Sequence, residues 1–192
     1  MKRVLLGGIL AGGVVFVWGF IGHALLPLGT VGIQSLPAEE TVLPVLQQRL
    51  KEPGFYFFPA MPASATMTAE QREQAQKQWA EKIRQGPRGI LVYHPAGAEP
   101  MSTRQLGGEL VTNVLGGLIA AILLSMAAVS LASFASRLMF VTLLGLFASL
   151  AIEMSYWIWY SFPTAYTVAQ TADQVIGWFL AGIPLAAIIR KP

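Results

Sequence analysis

The chain has 192 residues, 54% of them hydrophobic and only 12% charged, with a net charge of +3 and no cysteine. A soluble domain carries about 25% charged residues, so a water-soluble globule is not expected, and without cysteine there are no disulfides, thiolate metal sites or cysteine nucleophiles. The basic residues form no clustered face with interleaved aromatics, which argues against nucleic-acid binding.

Met1-Lys2-Arg3 precede an uninterrupted apolar run from Val4 to Leu26. A signal peptide shares the basic start, but its apolar core is shorter and a small-x-small cleavage site follows it. Here the core is about 20 residues, the length of a membrane span, and no clean site follows, so residues 1–26 are expected to be an uncleaved anchor. Pro27 and Gly29 end it.

Residues 27–101 hold most of the charge and form a polar insert. Pro37-Ala-Glu-Glu opens an expected helix to about Lys51, with acids near the positive end of the helix dipole and Pro44 as a point of kinking. Pro53-Gly54 breaks it, and Phe55-Tyr-Phe-Phe predicts a short strand. Thr68 with Gln71 three residues on predicts a capped helix to about Gln85, anchored by Trp79 and Ile83. Gly86-Pro87 stops that helix, and Gly89-Ile-Leu-Val-Tyr-His predicts a second strand. Two strands around one helix bury little surface, so the insert is expected to lean on the membrane part or on a partner.

Residues 102–192 contain three further apolar segments. Ser102 and Gln105, at capping-box spacing, open a second span from about Gln105 to Ser133. After a tight turn the third runs from Arg137 to Phe162 and ends before Pro163. The fourth, from Thr164 or Thr167 to Ile189, contains Pro184 and closes on Arg190-Lys191. Four spans place Lys2, Arg3, Arg137, Arg190 and Lys191 on one side, and the short connection from Ser161 to Gln170 has no Lys or Arg. That distribution satisfies the positive-inside rule at each short segment. The insert exceeds the loop length of about 60 residues to which the rule applies, so its charges do not hold it inside. The expected architecture is therefore an all-α membrane protein: a four-transmembrane-helix bundle with a small α+β extracytoplasmic domain between helices 1 and 2. Its expected location is a bacterial inner membrane, with both termini cytoplasmic.

At 100° per residue each span shows a narrow stripe of small and polar residues, the side expected to face other helices rather than lipid. The first aligns Gly8, Gly12, Gly19 and His23. The second aligns Glu109, Thr112, Asn113, Gly116, Ala120 and Ala127. The third aligns Thr142, Gly145, Ser149, Glu153, Tyr156 and Tyr160, leaving Leu143, Phe147, Leu150, Met154 and Ile158 for lipid. The fourth aligns Tyr166, Gln170, Asp173, Gly177, Ala181 and Pro184. Glu153 lies roughly 24 Å from Arg137 along its helix, in the outer part of a hydrocarbon core about 30 Å thick. The spans therefore predict an outer layer holding His23, Glu109, Asn113, Glu153, Tyr156 and Asp173.

Two readings of that layer compete. In the first, small residues allow close helix approach and the polar groups bond across helices for about 0.6 kcal/mol each. In the second, an acid inside a membrane marks a proton, cation or ligand site. No Gly-x-Ser-x-Gly, His-x-x-x-His or phosphate loop with lysine is present, so no cofactor, metal site or catalytic residue is expected. The expected role is a non-enzymatic accessory, assembly or interaction subunit in the lipid bilayer, with a protein partner or a second copy of itself. The alternative is a small transporter or sensor built on the His and carboxylate layer.

Overall fold

The structure, a computed structural model, describes residues 1–62 and 65–190. Ala63 and Ser64 fall outside the described residues, as does Lys191, one of the two basic residues expected to close the fourth span. The chain is mostly helical and divides into two compact units, residues 1–34 with 99–192 and residues 35–98.

The first unit is built from α1 (Lys2–Phe20), α4 (Thr103–Ala127), α5 (Phe134–Tyr160) and α6 (Thr164–Ile188), numbered with the second unit's α2 and α3 in chain order. With a π-helical turn over Ile21–Leu25 added to α1, the four helices have 24 to 27 residues and are apolar enough to cross a membrane. At 1.5 Å per residue that is about 36–40 Å, against about 30 Å of hydrocarbon. Ser102 starts α4 with the expected capping box. Its hydroxyl accepts from the Gln105 N–H at 3.3 Å, and the Gln105 side chain accepts from the Ser102 N–H at 2.9 Å. The second span ends earlier than its apolar run, at Ala127, because residues 128–133 turn back and Ser133 caps α5 through the Ser136 N–H at 3.0 Å.

The helices pack in the order α4–α1–α6–α5, with α4 meeting α5 and α6 only briefly. Small residues set that order. An ideal Cβ on Gly8 would come 2.7 Å from the Leu118 backbone, and one on Gly12 would come 2.7 Å from the Asn113 carbonyl. Gly117 packs reciprocally against the backbone of Gly8 and Gly12, the close approach that small-xxx-small spacing permits. On α5, Arg137, Val141, Gly145 and Ser149 are buried at four-residue steps, and Gly182 of α6 packs against Leu138 and Val141. Ala11, Ala120, Ala121, Leu124, Val141, Ala181 and Leu185 complete a core rich in alanine.

Two further points depart from the sequence reading. The third stripe holds through Ser149, but Tyr156 is 42% exposed and Tyr160 40%. The buried row follows the α6 contact, and at the upper end the chain has already turned into α6. There Tyr156 stacks on Phe162 at a ring separation of 5.3 Å, and Phe162 meets Tyr166 at 5.5 Å. Arg137, read as a charge at the helix end, is buried. Its guanidinium donates to the carbonyls of Leu131 (3.0 Å), Ala132 (2.9 Å) and Ala186 (2.9 Å). Two of these carbonyls belong to the α4–α5 turn and one to the last turn of α6, where helical partners are missing.

The second unit contains α2 (Glu39–Arg49), β1 (Gly54–Phe58), α3 (Ala69–Gln85) and β2 (Gly89–Tyr93). The strands pair antiparallel in the register Phe55↔Val92 and Phe57↔Ile90. The Thr68–Gln71 capping box is present at 3.2 and 3.0 Å, and the Trp79 indole donates to the Pro59 carbonyl at 3.1 Å. No described residue between 35 and 98 is buried.

Candidate functional site

The site begins where α1 stops being an α-helix. Over Ile21–Leu25 the chain widens into a π turn, with the Leu26 N–H reaching the Ile21 carbonyl at 2.8 Å. In an unbroken α-helix residues 18 and 23 would diverge by about 140°. The turn, closed by an i→i+5 hydrogen bond, alters that spacing, and Trp18 and His23 reach the same neighbour, Asp173 of α6.

Asp173 is 8% exposed, and both its oxygens are engaged. The Trp18 indole N–H donates to Oδ1 at 2.8 Å, and His23 Nε2 lies 3.4 Å from Oδ2. Glycines make the approach possible. A Cβ on Gly177 would stand 3.0 Å from the Trp18 ring, one on Gly22 would stand 3.0 Å from Asp173 Oδ1, and the His23 ring sits over Gly29. A neutral imidazole carrying its proton on Nε2 donates to Asp173, and a protonated one forms an ion pair with it. The His23 side chain is 45% exposed, so one end of this chain of contacts reaches open space.

That space is a cleft of about 930 Å³, left because α4 and α6 scarcely meet. From α1 it is lined by Phe16, Trp18, Phe20 and His23, and from α4 by Leu106, Glu109, Thr112, Asn113 and Gly116. Ala148 is the one lining residue from α5, and α6 supplies Gln170, Asp173, Gln174 and Trp178. Trp178 sits between α4 and α5, with its ring 3.3 Å from where a Gly116 Cβ would be and its Cβ packed against Gly145. Glu109 accepts from the Asn113 side-chain amide at 3.1 Å. No lysine or arginine belongs to the lining.

The cleft thus gathers His23, Glu109, Asn113 and Asp173. Glu153 and Tyr156 lie outside its lining. Glu153 is half-buried and stays outside because α5 turns its buried face to α6 and reaches the cleft only at Ala148. Among the described residues no three His, Cys, Asp or Glu side chains converge as metal ligands would. Thr112 carries the sole hydroxyl in the lining, and it donates to the Gly108 carbonyl at 2.9 Å. No lining nucleophile is therefore oriented by a base, which a covalent mechanism would need. What the lining offers is charge, amide hydrogen bonding and aromatic surface. Trp18 and Trp178 have no counterpart in the sequence reading. The signal for Trp18 was its indole N–H, which needs a partner when buried, but naming that partner needed the π turn.

Comparison of the chain with protein-family models, with curated proteins and with solved structures finds no match, so the residues themselves carry the functional reading.

Proposed function

We propose that the chain is an integral protein of a bacterial inner membrane, with four spans, both termini in the cytoplasm and the α+β insert on the outer side. The support is the length and apolarity of the four helices and a charge pattern that puts Lys2, Arg3, Arg137 and Arg190 on one side. Its role is that of a non-enzymatic accessory or interaction subunit whose insert docks on a partner protein or a second copy. One observation carries this reading: no described residue of the insert is buried, while Phe55 and Val92, paired across the strands, are 61% and 64% exposed. A unit without a core of its own gains stability by covering such surface. The test is affinity purification of the whole chain from gentle detergent after crosslinking in intact cells. A discrete crosslinked species through the insert is expected, and a bare monomer in repeated preparations would count decisively against it.

The cleft favours a second reading, a small transporter or sensor with a ligand site in the outer half of the helices. Buried Asp173, bonded to Trp18 and His23 beside an open cavity, is the observation behind it. Binding of any small ligand to the purified protein that disappears in Asp173→Asn would support it.

A further inference from the structure

We infer that the cleft binds a lipophilic organic cation, an inference resting on the ligand-site reading above. The sign of the charge comes first. Glu109 and Asp173 line the cleft and no lysine or arginine does, so an anion would meet carboxylates with nothing to offset them. His23, if protonated, is already paired with Asp173, which leaves the Glu109 carboxylate uncompensated. One of its oxygens takes only a neutral amide bond, from Asn113.

Size and surface then narrow the class. The cavity, about 930 Å³, lies at the upper end of the range of about 300–1,000 Å³ for drug-sized ligands. No three metal-ligating side chains converge among the described residues, so a bare divalent ion finds no ligand set. Trp18, Trp178, Phe16 and Phe20 add aromatic rings to the lining. Aromatic faces attract cations through the ring quadrupole, and the attraction strengthens when water is excluded. A bulky, weakly hydrated cation satisfies both features at once: its apolar groups fill the aromatic part, and its charge lies near Glu109.

The test uses the whole chain in lipid nanodiscs, with tetraphenylphosphonium as the probe and tetraphenylborate as an anion of the same shape. Equilibrium dialysis is expected to show saturable phosphonium binding and no saturable borate binding. Glu109→Gln, on the exposed rim where it does not disturb the core, is expected to weaken binding at least about fivefold, the weight of one carboxylate at contact distance in bulk water, and more in the lower dielectric near a protein surface. Asp173→Asn provides a second variant at the buried end. Equal uptake of the two ions, or unchanged affinity in both variants, would overturn the inference. The absence of native cysteine allows one further arm, in which Thr112→Cys is labelled with a maleimide. Labelling that phosphonium slows supports the inference. Labelling that phosphonium does not slow overturns the cation while leaving the open cleft standing. A Thr112→Cys that cannot be labelled removes the cleft and the ligand-site reading together.

Discussion

At the scale of single residues, the polar groups of the helical unit have defined partners that make their loss measurable. Asp173 depends on the Trp18 indole, so Trp18→Phe strands one carboxylate oxygen in a buried position. The expected cost is about 1–3 kcal/mol, read as a lower unfolding midpoint in detergent. His23→Gln can still donate to Asp173 from its amide and should lose less than Trp18→Phe; the reverse order would show that the Trp18 bond is incidental. Arg137 is the other such residue. Arg137→Leu leaves the carbonyls of Leu131, Ala132 and Ala186 without their donor, and is expected to cost about 2–4 kcal/mol as several buried or partly buried acceptors lose their bonds together. A change below a few tenths of a kcal/mol in the same unfolding assay would mean that water replaces the guanidinium at that turn.

At the scale of elements, neighbouring glycines on α1 differ sharply in what they do. Gly12 lies against the backbone of α4, whereas nothing comes within 4 Å of a Cβ built on Gly13. Gly12→Val is therefore expected to push α1 away from α4, lowering stability and yield. Gly13→Ala is expected to be neutral or to gain up to about 1 kcal/mol from helix propensity. Paired thermal melts of the two variants check this, and equal losses would mean that the α1–α4 contact is not set by Gly12. Gly32, at φ +77° and pressed on the first turn of α6 at Tyr166, pins the segment after α1. That contact holds the segment that follows the π turn close to α6.

At the scale of the molecule, the two units differ in how they are stabilised. The helical unit has a continuous core of small residues, and no described residue of the insert is buried. Replacing Phe55 and Val92 together by Ser removes one cross-strand pair, at a cost of about 1 kcal/mol, and is expected to abolish partner capture. Capture that persists would move the docking surface elsewhere. The proposed topology predicts that Gln78→Cys in the insert is labelled by an impermeant maleimide in spheroplasts, whereas Ser130→Cys in the α4–α5 turn is labelled only after lysis. The opposite pattern would invert the protein in the membrane.

The sequence alone determined what depends on local chemistry. Apolar runs long enough for four helices, the capping boxes at Thr68 and Ser102, and the strands at Phe55 and Gly89 follow from composition and from backbone groups a few residues apart. The small-residue faces of α1 and α6 were partly legible for the same reason, since periodicity records which side packs closely, but on α4 the expected stripe ran through Gly116, whereas Gly117 is the glycine that packs against α1. Tertiary structure alone decided which helices touch. The order α4–α1–α6–α5 opens a cleft that a closed bundle would fill, leaves Glu153 and Tyr156 outside it, and brings in Trp178. A helical wheel gives each residue a direction but not the neighbour it faces, and it assumes 100° per residue. The π turn at Ile21–Leu25 breaks that assumption where it matters most, between Trp18 and His23, which meet the same carboxylate.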